Sequence, residues 1–140
     1  MSRSTLTGFE QSPVVIGHRG AAGLAPENTL PGFARAIELG VQAVELDVHL
    51  CQGELVVIHD PTLERTTNGL GPVSQIAFSK LRELDAGNGA RVPTLEEVFD
   101  LLPSEIGINI ELKGAGTGAA VAGWLGPPGS RPILISSFDH

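Results

Sequence analysis

A chain of 140 residues with 41% hydrophobic and 18% charged residues is long enough for one ordinary domain with its own core and too short for two. Its formal charge of −7 offers no basic stripe to displace counterions from a phosphate backbone, which excludes nucleic acid as an expected partner. No apolar run reaches membrane-spanning length, no signal-peptide core precedes Pro13, and the single cysteine, Cys51, cannot close an internal disulfide, so the expected location is the cytoplasm, without a transmembrane segment.

Residues 1–13 are polar and aperiodic and are expected to form a loose leader before a domain at residues 14–140. Val14, Val15 and Ile16 make a short apolar run of the kind expected for a strand buried on both faces, ending in Gly17-His18-Arg19-Gly20. The flanking glycines permit tight backbone geometry and close approach of a ligand. A lone histidine is more often structural, so His18 gains meaning only from its neighbours.

Asn28 or Thr29 can cap a helix carrying Leu30, Phe33, Ala34 and Ile37 at i, i+3, i+4 and i+7, with Pro31 in its first turn and Gly40 at its stop. A strand over residues 41–48 completes a βαβ unit, whose parallel strands bring their C-terminal ends to one side. That side is where ligands bind in open α/β sheets and in (β/α)₈ barrels alike.

Residues 44–60, VELDVHLCQGELVVIHD, organise the rest. Glu45 and Asp47 lie two apart in a β-branched run, so a strand sends both carboxylates to one face. Read alone, the spacing also fits a solvated strand face. In an apolar setting the two carboxylates repel and lose hydration, costs relieved by a proton or by a shared hard cation such as Mg²⁺ or Ca²⁺. After Asp47 only Gln52-Gly53 interrupts the chain before Leu55 to Ile58, too little for a helical crossover. The expected hairpin lays His59 near Asp47, so that both histidines face one pocket.

Thr62 to Arg91 is rich in turn signals, with a weak helical pattern from Ser74 to Leu84, and reads as a lid or insertion beside the mouth. Thr94-Leu95-Glu96-Glu97 opens a helix with a capping box, ended by Pro103. Ile106 to Lys113 alternates, placing Glu111 and Lys113 on one face. The βαβ context brings a third carboxylate and a cation to the same mouth, whereas the segment alone also fits an exposed edge strand. A short helix within residues 115–126 and a buried-type strand at Ile133 to Phe138 follow, with Ser136, Ser137, Asp139 and His140 at its end.

HRG at His18 to Gly20, PENT at Pro26 to Thr29, ELDV at Glu45 to Val48, HDPTLERTTNG at His59 to Gly69, PTLEE at Pro93 to Glu97, NIELK at Asn109 to Lys113 and SSF at Ser136 to Phe138 together resemble the glycerophosphodiester phosphodiesterase family. The resemblance implies an α/β (β/α)₈ TIM-type barrel of the phospholipase C-like class, here an N-terminal portion with about five of the eight strands. It implies metal-dependent hydrolysis of a small-molecule glycerophosphodiester to an alcohol and sn-glycerol 3-phosphate, with His18 and His59 as general acid and base. By the same resemblance Glu45, Asp47 and Glu111 hold a divalent cation, Mg²⁺ or Ca²⁺, Arg19 and Lys113 face the phosphate, and Glu27 supports the outer site.

A complete member carries roughly a hundred residues more than this chain offers, so an open edge and self-association through it are expected. Two other readings remain beside hydrolysis. One is a non-catalytic barrel fragment or interaction module that retains the motifs. The other is a lyase of the phospholipase D or sphingomyelinase D type releasing a cyclic phosphate.

Overall fold

The computed structural model describes residues 14–127 and 129–137. The expected leader at residues 1–13, and Phe138, Asp139 and His140 at the end of the last strand, lie outside the described residues. In chain order the elements are β1 (Ile16–His18), α1 (Leu30–Glu38), β2 (Ala43–Cys51), β3 (Glu54–Val57), a 3₁₀ turn (Val73–Gln75), α2 (Phe78–Leu81), α3 (Leu95–Leu101), β4 (Gly107–Leu112), α4 (Thr117–Leu125) and β5 (Ile133–Ser137). Among the described residues no helix is long and apolar enough to cross a membrane.

The sheet runs β1-β2-β4-β5 with all four strands parallel, and β3 returns antiparallel on β2. Val48 pairs with Leu112 of β4 on one side and with Val57 of β3 on the other, so β3 occupies the side of β2 that β1 leaves beyond Glu45. Among the described residues five strands are therefore present, four of them parallel and one the antiparallel hairpin arm. The turn that makes the arm is Gln52-Gly53, both at positive φ (51° and 83°), the mirror-image geometry that matches the twist of paired strands.

Alternation separates the chemistry from the core. Val44, Leu46 and Val48 of β2 and Ile108 and Ile110 of β4 pack on one face against Phe33 and Ala36 of α1, Leu95 and Val98 of α3 and Val121 of α4. Each fully buried Leu, Ile or Phe in such a layer contributes about 1.5–3 kcal/mol. Glu45, Asp47 and Glu111 leave the opposite face. The helices form where their caps direct: Thr29 Oγ1 accepts from the Gly32 amide, and Thr94 and Glu97 exchange side-chain and backbone bonds in a full capping box.

Two expectations change. The first strand is Ile16–His18 rather than the Val14–Ile16 run, and Val15 and Ile16 are about half exposed instead of buried on both faces. In β5, Leu134 and Ile135 are likewise half exposed. The reason is position: β1 and β5 are the outer strands of the described sheet, each paired with a single parallel neighbour. The excursion at residues 62–91, expected as a lid or an insertion, is packed as an insertion. Leu63, Val73 and Leu81 are fully buried in a second small core with Cys51, Val56, Ile58 and Val92, and α2 within it has four residues, with its C-cap at Arg82.

The loop after β1 lies directly on the start of α1. Gly20 has φ +86°, and a Cβ there would stand 2.9 Å from the Gly32 carbonyl carbon and 3.0 Å from the Phe33 nitrogen, both backbone atoms that cannot swing away. Overpacking and a left-handed backbone each carry a cost, so Gly20→Ala is expected to destabilise the fold by about 2–4 kcal/mol. Urea unfolding reads this directly, and an unchanged midpoint would show that the loop does not need this contact.

Candidate active site

The parallel strands end on one side, and β1, β2 and β4 each supply part of one cluster. Asp47 and Glu111 are register partners on β2 and β4, Glu45 lies two residues before Asp47, and one carboxylate oxygen from each of the three falls within 4.8 Å of the others. Asp47 is fully buried and Glu45 nearly so. Burial, the charge of Asp47 and a carboxyl hydrogen bond with Glu111 push Glu45 well above the ordinary carboxylate range, opposed by the Arg19 amide.

The loop after β1 wraps this cluster. Arg19, at φ 52°, donates its amide to Glu45 Oε1 at 3.2 Å, and its Nε stands 3.6 Å from Asp47 Oδ2. His18 Nε2 lies 3.8 Å from Glu45 Oε1 on a largely exposed side chain. On the far side Lys113 Nζ reaches Glu111 Oε1 at 3.4 Å. Arg19 Nη1 donates to Glu27 Oε2 at 3.1 Å, which places Glu27 one step outside the carboxylates.

His59 arrives on the hairpin arm. The Ile58 amide donates to the Asp47 carbonyl at 3.0 Å, so the expected approach of the arm to Asp47 is observed. The His59 ring meets Asp60 at 2.7 Å (Nδ1 to Oδ1). Hydrogen bonds from Arg65, and then from His59, hold Asp60 well below the ordinary carboxylate range. An ionised carboxylate only accepts, so His59 Nδ1 carries the proton and Nε2 is the ring atom left for chemistry. His59 and Lys113 line one cleft of about 500 Å³ with His49, Leu50, Pro61 and Thr117.

Four residues not expected at the site from the sequence belong to this region. Asn28, at φ 55°, leaves the cap to Thr29 and turns inward, its Nδ2 donating to Asp47 Oδ2 at 3.0 Å. His49 continues the Glu45, Asp47 alternation, and its Nε2 donates to the His59 carbonyl at 3.0 Å; burial, its main influence, pushes the imidazole pKa down and keeps the ring neutral. Asp60 and Arg65 complete the surroundings of His59. The period-two pattern was signal enough for His49. Nothing local distinguishes Arg65 from any loop arginine.

The donor set fits a hard divalent cation. All three convergent groups are carboxylates, and Asp47 Oδ1 and Asn28 Oδ1 are buried acceptors without a hydrogen-bond partner, on side chains bonded to each other.

The model of the glycerophosphoryl diester phosphodiesterase family matches residues 18–123, which contain every one of these groups. The chain belongs to that family. It is 48% identical to a glycerophosphodiester phosphodiesterase of Caldanaerobacter subterraneus over 91% of this chain and 58% of the relative. Among solved structures, it is similar to an Oleispira antarctica phosphodiesterase in complex with the product sn-glycerol-3-phosphate, with TM-score 0.85 and 38% identity over 91% of this chain and 58% of that one. A glycerophosphodiester phosphodiesterase from Thermotoga maritima matches with TM-score 0.80 and 35% identity, over 92% and 56%. The chain thus spans somewhat over half the length of these family members, and its four parallel strands with their helices are part of their TIM-type barrel.

Proposed function

We propose that the protein is a metal-dependent phosphodiesterase that hydrolyses glycerophosphodiesters to an alcohol and sn-glycerol 3-phosphate. The observation that carries this is the convergence of Glu45, Asp47 and Glu111 from two adjacent parallel strands, with Arg19 and Lys113 on either side. The relatives named for this activity support the same reading.

In this reading Glu45, Asp47 and Glu111 hold Mg²⁺ or Ca²⁺, both of which accept an all-oxygen carboxylate set. The cation supplies charge neutralisation and polarisation of a phosphoryl oxygen. The Arg19 guanidinium and Lys113 ammonium bind the remaining phosphate oxygens and offset the charge that builds up on them. His18 and His59 divide the proton transfers: one ring nitrogen takes the proton of the attacking oxygen as its bond to phosphorus forms, and the other gives a proton to the alcohol oxygen as its bond to phosphorus breaks. Glu27 keeps Arg19 aimed inward.

The test is release of sn-glycerol 3-phosphate from glycerophosphocholine by the purified chain, with Mg²⁺, with Ca²⁺ and with chelator. Release that chelator abolishes is the expected result. Folded protein that releases none with either metal would sink the reading for this chain, and accumulation of a cyclic phosphate would replace hydrolysis by lyase chemistry.

A further inference from the structure

Arg65 stands outside the proposed chemistry, on the loop that follows the hairpin arm, yet one guanidinium grips two carboxylates. Its Nε and Nη2 donate to Asp60 Oδ2 and Oδ1 at 2.8 and 3.0 Å, while Nη1 and Nη2 donate to Glu27 Oε1 and Oε2 at 2.9 and 2.9 Å. Each carboxylate carries the contact inward. Asp60 Oδ1 meets His59 Nδ1 at 2.7 Å, and Glu27 Oε2 accepts from Arg19 Nη1 at 3.1 Å. Arg19 in turn lies against Asp47. A chain of charge-assisted bonds therefore runs from His59 through Asp60, Arg65 and Glu27 to Arg19, joining the loop after β1 to the loop after β3.

Stability alone gives this arrangement little purpose. The Arg65 side chain is 48% exposed, and ion pairs this open contribute at most about 1 kcal/mol. What a double fork supplies is direction. Two bidentate contacts fix both carboxylate planes, which a point charge such as a lysine ammonium cannot do. Fixing the Asp60 plane fixes the acceptor for His59 Nδ1–H, and fixing Glu27 holds the Arg19 guanidinium in place. Arg65 is also the largest influence keeping both carboxyls ionised.

The geometry points to Arg65 as a positioning residue that sets, through Asp60, the tautomer and ring plane of His59 and, through Glu27, the aim of Arg19. This rests on the roles given to His59 and Arg19 in the proposed function. The side-chain hydrogen bonds of Arg65 go to Asp60 and Glu27, so its effect on both loops is exerted through these two carboxylates.

The test uses the 140-residue chain with two substitutions, Arg65→Ala and Arg65→Lys, the second retaining the charge should the first fail to fold. Long-range ¹H–¹⁵N spectra of the imidazoles report the tautomer of His59. The parent is expected to show the Nδ1–H form, and both variants a mixture. Titration with sn-glycerol 3-phosphate in Mg²⁺ is expected to show affinity reduced about tenfold or more in Arg65→Ala, the scale of loss typical when an orienting partner is removed, and less in Arg65→Lys. A clamp that merely braces two loops would shift the melting temperature and leave the tautomer and the affinity as in the parent. That result, in both variants, would overturn the inference. Arg19→Ala separates it from the functional reading: unchanged affinity in Arg19→Ala refutes the phosphate role, whereas a loss there alongside unchanged Arg65 variants refutes only the positioning role.

Discussion

Glu45→Gln is expected to lower divalent-cation affinity about a thousandfold and, with chelator present, to raise the melting temperature above that of the parent. The two effects have one origin. Three carboxylate oxygens within 4.8 Å of one another, two of them on nearly or fully buried side chains, repel in a setting where water screens them poorly. A cation turns that repulsion into attraction. One unit charge at about 4 Å and an intermediate effective dielectric is worth about 4 kcal/mol, close to three decades in affinity. Without the cation the same charge is a burden, as the upward displacement of the Glu45 carboxyl shows.

For an acid the sign is unambiguous. The folded state holds the Glu45 proton more tightly than the unfolded chain, its carboxyl being pushed up to about 8 from 4.5, so stability falls as pH rises between these values, where the unfolded chain has lost the proton and the native protein still holds it. Glutamine carries no charge to strip, its amide can donate to the neighbouring carboxylates, and its oxygen still accepts from the Arg19 amide. Scanning calorimetry with chelator and with each metal measures both effects. The parent should gain about 2.7 kcal/mol at a metal concentration a hundredfold above its dissociation constant. A Glu45→Gln protein that gains the same metal-induced stability would remove Glu45 from the site.

How much of this could be read from the chain depends on how local each signal is. The period-two carboxylates, the Gln52-Gly53 turn and the Thr94 capping box are decided by residues within a few positions of one another, and the structure shows each as expected. The cluster itself needed only the rule that parallel strands end on one side. The edges were less legible, because an apolar triplet such as Val14-Val15-Ile16 reads the same whether it lies in the middle of a sheet or at its margin. Asn28 and Thr29 are both good caps, and only the positive φ of Asn28 decides that the threonine caps while the asparagine turns to Asp47. Arg65 was the least legible of all. Its partners lie 5 and 38 positions away, and its meaning exists only once two loops have been brought together.

His59→Ala should lower turnover by about 100- to 10,000-fold, the usual contribution of a positioned acid or base, while leaving the metal-induced rise in melting temperature intact. The separation follows from geometry: the His59 ring is held by Asp60, its neighbour on the arm, whereas the three convergent carboxylates lie on β2 and β4. His18→Ala should lose turnover on the same scale. Its Nε2, however, lies 3.8 Å from Glu45 Oε1, so some weakening of metal affinity is expected there and not at His59. Assaying both variants in parallel for glycerophosphocholine hydrolysis and for metal-dependent melting distinguishes acid–base groups from ligands. If His59→Ala abolished the metal-induced shift, His59 would have to be a fourth ligand. The ionised Asp60 behind its Nδ1 would then serve to orient a coordinating Nε2, rather than to present that atom to a proton.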